Sequence, residues 1–211
     1  MPVKTDREYR NFEGMEIRKG EDGRMTVEGY ATTFNMPYRL TGDDRITINE
    51  QVDRNAFDGT DMSDVIMQYD HAGRVFARIS NGTLRLADDD HGMRIEADLG
   101  GTDIGRQLYQ EIEGGYTNKM SFGFTVAADK KTRTKDENGH ITVLRTITKI
   151  GKLFDVSAVS LPANDATEIS ARSIGDGLIA EAMEEVRAEE ERARRIGEIR
   201  KILKGEPEHE S

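Results

Sequence analysis

Up to about Arg172 the apolar residues of this chain recur mainly at every second position, in short segments punctuated by turn residues, and that period commits the segments to pleated strands. Arg24 to Phe34 alternates with a change of phase at Gly29, which predicts a long strand bent at a bulge. Val65, Met67, Tyr69 and His71 share one parity in the next strand. Arg74 to Leu99 reads as three strands joined by two turns, Asn81-Gly82 and the acidic Asp88 to Gly92. One stretch departs from the period: Ile104, Leu108 and Ile112 recur at helical spacing, with Thr102 or Asp103 as N-cap and Gly114-Gly115 as the stop. That helix leads into Lys119 to Val126, where Met120, Phe122, Phe124 and Val126 face a core and Ser121, Gly123 and Thr125 face away from it. Asp129 to His140 is expected as a long polar hairpin loop and Ile141 to Ile150 as its return strand. Leu153 to Leu161 is expected as a further strand, closed by Pro162-Ala163-Asn164. Several strands with a single internal helix predict a mainly β fold with some α, a closed or nearly closed β-barrel rather than a doubly wound parallel sheet.

Past Arg172 the texture changes. Asp176 to Lys204 is rich in Glu, Arg and Ala and predicts one long helix. Its apolar stripe, Ile179, Met183, Val186, Ala193, Ile196 and Leu203, is interrupted by Glu190, Arg200 and Gly197, so a solvated helix and a partner-binding helix both fit. The division expected is a β-rich domain over 1–172 and a charged helical tail over 173–211. In 211 residues that is one substantial domain with an appendage. The chain has no cysteine, which excludes disulfides, thiolate metal sites and a cysteine nucleophile. A formal net charge of -10 argues against binding a phosphate backbone. Apolar runs are short and the charged start, Met1 to Arg10, is followed by no apolar stretch, so neither a membrane span nor a signal peptide is expected.

The strand around Ser121 presents a hydroxyl on a rigid element, as a nucleophile needs and as an ordinary strand serine also does. A base must be aimed at it. Of the four histidines, His209 lies in an acidic end, His140 in a charged loop and His91 in the Asp88-Asp89-Asp90 turn; His71 alone ends an apolar strand. Asp155, inside Leu153-Phe154-Asp155-Val156-Ser157, is an acid in an apolar strand and requires a cationic or hydrogen-bonding partner. That partner is either an imidazole in a catalytic series or one of the many arginines. The Asp88 to Asp90 turn lacks calcium-loop spacing and a distal glutamate, so no metal is expected there. Asn81-Gly82-Thr83 matches a glycosylation acceptor but reads better as a turn.

Glu28-Gly29-Tyr30-Ala31 with Phe34-Asn35, the His71 strand, Gly82-Thr83-Leu84-Arg85-Leu86, Met120-Ser121-Phe122-Gly123-Phe124, and Val156-Ser157 through Leu161-Pro162-Ala163-Asn164 together resemble the tailed-bacteriophage prohead proteases, whose barrel is related to the herpesvirus assembly proteases. The resemblance runs from Tyr9 to Arg172. It implies a serine endopeptidase that trims scaffold segments from the major capsid protein inside the immature shell and cleaves itself, with Ser121 as nucleophile and His71 as base. It implies no cofactor and no metal, and capsid protein and scaffold as substrates; a homo-oligomer fits, nucleic acid and membrane do not. Asp155 matches a strand acid that is commonly Glu in the family, so the third role stays open between Asp155, His91 and His140. The family commonly has Asp directly after the histidine, where this chain has Ala72 and carries Asp70 before it. Lys119 stands where a small residue is expected, placed either to stabilise charge or to line a substrate groove. Gly123 and Gly114-Gly115 offer close backbone approach for an oxyanion or serve only as turn and bulge residues. The alternative readings are an inactive, protease-like assembly protein and an unrelated acidic β-barrel binding module.

Overall fold

The computed structural model describes residues 7–13, 15–19, 24–160 and 165–204. Within them the chain runs β1 (Arg7–Glu13), β2 (Met15–Lys19), β3 (Met25–Thr33), β4 (Tyr38–Gly42), β5 (Ile46–Val52), β6 (Ile66–Tyr69), β7 (Ala72–Arg78), β8 (Leu84–Asp88), β9 (Gly92–Asp98), α1 (Asp103–Glu113), β10 (Lys119–Lys135), β11 (Ile141–Val159) and α2 (Asp165–Lys204). The protein is mainly β with two helices. The Pro162-Ala163-Asn164 stop and His209 lie outside the described residues.

β11 is the spine. It pairs antiparallel with β10 along its whole length. On its other side its first half pairs parallel with β5 and its last residues pair parallel with β6. One seven-stranded sheet results, in the order β1-β10-β11-β5-β4, with β6 and then β7 added beside the far end of β11. A four-stranded sheet, β2-β3-β9-β8, faces it. The main core lies between them, where Val27, Ile95 and Leu84 of the smaller sheet meet Met67, Met120, Phe122, Phe124 and Val156 of the larger, with Leu108, Tyr109 and Ile112 of α1 closing one end. Neither sheet closes on itself among the described residues, so the strand content expected for a barrel is present and a closed hydrogen-bonded ring is not.

Several local readings are corrected by pairing. The expected loop from Asp129 to His140 is strand up to Lys135, because Asp129 to Lys135 finds a register opposite Ile147 to Ile141. Only a tight turn remains. The two strands expected at Ile141 to Ile150 and Leu153 to Leu161 are one strand, bridged where Ala56 and Asp61 of the β5–β6 connection hydrogen-bond to Ile150, Gly151 and Leu153. The irregularity in β3 falls between Tyr30 and Thr32 rather than at Gly29, which pairs regularly with Ile95. Asn81-Gly82 does turn the chain, with Gly82 at φ 76. It carries the chain from one sheet to the other, since β7 pairs with β6 and β8 with β9. The helix forms where its period predicts it. Thr102 caps α1 by accepting from Gly105 N at 3.1 Å, and Gly114 ends it.

α2 begins at Asp165, earlier than the sequence texture suggests. Leu178 and Ala182 are buried against Ile46, Ile48, Ile141 and Val143, forming a second core on the outer face of the large sheet. No helix is long and apolar enough to cross a membrane among the described residues.

Candidate active site

The register between β10 and β11 sets the site. Ser121 stands opposite Ser157 and Gly123 opposite Asp155, so the alternation of both strands places these four residues on the face away from Phe122 and Val156. That face is not open to solvent: Ser121, Asp155 and Ser157 are all 0% exposed. The expectation that the hydroxyl stands clear of a buried environment is therefore corrected, because β1 pairs along the other edge of β10 and helps cover the site.

His71 reaches the site through a strained turn. Tyr69 pairs with Ala72, leaving Asp70 and His71 as the two central residues of the β6–β7 hairpin. Both are left-handed, at φ 48 and 57. This is the backbone of a primed hairpin turn, a conformation favoured by Asn-Gly and costly for a bulky residue. Asp70 holds it in place: its carboxylate accepts from Ser160 N at 3.0 Å and Ser160 Oγ at 2.9 Å, while its own amide donates to Ala158 O. The turn folds the imidazole back over the large sheet.

There His71 meets both partners. Its Nδ1 lies 2.6 Å from Asp155 Oδ1 and its Nε2 2.6 Å from Ser121 Oγ. A carboxylate can only accept, so Nδ1 carries the proton and Nε2 accepts from the serine hydroxyl. Ser157 Oγ donates to the same Asp155 oxygen at 2.7 Å. Asp155 Oδ2 forms an ion pair with Arg7 of β1. Burial, and after it the Arg7 cation, lower the His71 pKa to about 4 against the opposing effect of Asp70. At neutral pH the imidazole is the free base, the form that can take a proton.

All three residues expected at the site, Ser121, His71 and Asp155, are thus brought together. The fallback histidines are elsewhere: His91 packs edge-on against Tyr30 at 4.5 Å, and His140 bonds to Thr47 Oγ1 and the Asp44 carbonyl. Aspartate, shorter than the usual glutamate, still reaches the imidazole. Sequence reasoning missed Arg7, Tyr9 and Ser157. The requirement of buried Asp155 for a cation was the available signal, but it did not indicate which arginine. Gly123 lies where the β10–β11 register shifts, as expected of a bulge residue, and it also allows close approach, for a Cβ on it would come within 2.5 Å of Asp155 Oδ2 and 2.8 Å of the Arg7 guanidinium. Gly114-Gly115 ends α1, with Gly115 at φ 75. No group of three or more metal-ligating carboxylates or histidines gathers among the described residues. Asp89 is bonded to the Tyr30 hydroxyl and to the amides of His91 and Gly92, while Asp88 and Asp90 pair with Arg54.

Hydroxyl, imidazole and buried carboxylate in hydrogen-bonded series define the serine-peptidase class of site, recognised by geometry rather than by chain order. The chain belongs to the caudovirus prohead serine proteases, whose family model matches residues 13–181. This membership sets aside the unrelated binding module. Among solved structures, the capsid assembly protease gp21 of bacteriophage T4 is similar at 13% identity and a TM-score of 0.38, over 72% of this chain and 98% of that one. No curated protein matches.

Proposed function

We propose that this chain is the serine endopeptidase of prohead maturation, with Ser121 as nucleophile, His71 as general base and Asp155 as the acid that orients the base. One observation carries the reading: in a member of this family, a neutral imidazole lies 2.6 Å from both the serine oxygen and the buried carboxylate. His71 takes the Ser121 proton as the oxygen attacks a peptide carbonyl, and returns it to the leaving amine. Asp155 holds the Nδ1–H tautomer and favours the transient imidazolium. No cofactor or metal enters these steps. The substrates are scaffold segments of the major capsid protein and the protease itself, cleaved inside the assembling prohead in the host cytoplasm. The fold is an opened form of the family's barrel, a reading supported by the two sheets that enclose one core. The body over 1–172 carries the chemistry. The tail over 173–211 docks the enzyme to capsid or scaffold, a role supported by the exposure of Ile196, Ile199 and Leu203 near the end of α2.

A second reading, an inactive assembly protein, is favoured by the complete burial of Ser121. Mass spectrometry of the major capsid protein co-expressed with this chain separates the two. Discrete truncation by the wild type and none by Ser121→Ala is the expected result. Cleavage that persists in Ser121→Ala excludes the nucleophile, and none by the wild type supports the inactive protein.

A further inference from the structure

We propose that Arg7, on the amino-terminal strand and outside the stretch matched by the family model, is a positioning residue that holds Asp155 against His71 and sets a cation beside the imidazole. The inference rests on the roles proposed above for Ser121, His71 and Asp155. Arg7 meets Asp155 Oδ2, and no other hydrogen-bond donor reaches that oxygen among the described residues. Oδ1 is already engaged by His71 and Ser157. The carboxylate is thus held at both oxygens, and its rotation, which would break the His71 bond, is blocked by the guanidinium.

Arg7 is itself held by rings. Its guanidinium lies 4.5 Å from the Phe154 centroid and 5.1 Å from that of Tyr9. Tyr9 in turn packs edge-on against the His71 ring, centroids 4.4 Å apart at 62°. Gly123 leaves the space that the guanidinium and carboxylate occupy. The opposite parity of β1 anchors the strand, since Glu8 and Arg10 join a buried network with Glu50 and Arg145. One face of β1 fastens it to the protein. The other completes the site.

The charged and titratable groups facing His71 are Arg7 and Tyr9 of β1, Asp155 of β11 and Asp70 of its own turn, with the Ser121 hydroxyl on β10. The Arg7 cation offsets the Asp155 carboxylate that would otherwise favour imidazolium. Loss of that cation should therefore raise the His71 pKa.

Two readouts on the full chain test this. The first is the NMR titration of the His71 ring, identified by its loss in His71→Gln, which needs no activity. The second is the rate at which an alkyl fluorophosphonate labels Ser121 as a function of pH. In Arg7→Ala the His71 midpoint is expected to rise by about 1 unit or more, and labelling at neutral pH to fall about 100-fold, the effect of a small misplacement of a catalytic group. Arg7→Lys, which keeps the charge without the fork, should leave the midpoint low and recover part of the labelling. Should Arg7→Ala fail to fold, Arg7→Met keeps the stem over the rings and is read in the same two ways. An unmoved His71 midpoint in the folded charge-loss variant overturns the proposal, whatever happens to its melting temperature. Absence of labelling in the wild type argues instead against the proposed nucleophile, and the titration still decides the role of Arg7.

Discussion

Gly123 has no room for a side chain, because a Cβ there would press on Asp155 and Arg7 together. Gly123→Ala should therefore cost about 1–3 kcal/mol in chemical denaturation, typical of forcing atoms into a packed site. On the proposed roles it should also reduce fluorophosphonate labelling of Ser121 well beyond what the lost stability explains, because the displaced group is the carboxylate hydrogen-bonded to His71. His71 makes a prediction about pH. Its folded pKa, about 4, lies below the ordinary 6.5, so between these values the unfolded chain binds the extra proton and the native protein does not. Stability attributable to this residue is present above about pH 6.5 and is lost as pH falls toward 4. Urea unfolding should accordingly show a smaller drop from pH 7 to pH 5 in His71→Gln than in the wild type. At this scale the sequence was informative about types and poor about environment. An acid in an apolar strand announced that Asp155 needs partners, and the only histidine ending an apolar strand proved to be one of them. Nothing local marks Ser121 as buried, since its cover comes from other strands.

Among the elements, β1 depends on charges that no periodicity argument would place inside. Glu50 is 0% exposed and accepts from Arg10 at 2.5 and 3.0 Å, from Arg145 at 2.7 Å and from the Tyr38 hydroxyl at 2.6 Å. Arg145 also bonds both oxygens of Glu8 and reaches Asp129. The two cations hold the Glu50 carboxyl below its usual range against the opposing effect of burial, while burial and the adjacent carboxylate push the Tyr38 phenol up. Such a network adds little over a well-packed apolar core, but losing one member strands the others. Glu50→Gln is expected to cost about 3–5 kcal/mol in denaturant unfolding. Hydrogen exchange of the β1 amides should quicken in the same variant, and Ser121 labelling should fall with it because Arg7 travels with β1. The turn carrying His71 shows a related limit of sequence reading. Alternation from Val65 onward put His71 on the strand, whereas Asp70 and His71 adopt left-handed backbone that neither residue favours by itself. The bonds from Ser160 to Asp70 supply the reason, and Ser160 is distant in sequence.

For the whole molecule, the question is where the β-rich body ends. Leu178 and Ala182 of α2 are buried on the large sheet, and Glu181 pairs with Lys131 at 2.5 Å. A chain stopped after Arg172 should thus be destabilised as well as deprived of its tail. Leu178→Ala should cost about 2–5 kcal/mol by thermal or urea unfolding, while a chain stopped after Arg195, which keeps these contacts, should unfold like the wild type. Packaging into proheads by that longer truncation would then report on the outer part of α2 alone. From the sequence came the strands from Arg24 to Phe34, Val65 to Tyr69, Arg74 to Leu99 and Lys119 to Val126, the capped helix α1, the long charged helix and the candidate residues Ser121, His71 and Asp155, because each rests on side-chain period, turn chemistry or short motifs. Only the tertiary structure decided that Arg7 rather than another arginine meets Asp155, that Ser121 is covered, that Asn81-Gly82 links two sheets and that neither sheet closes among the described residues. Those outcomes depend on which strand edges find each other across the chain, and short-range periodicity carries no information about that choice.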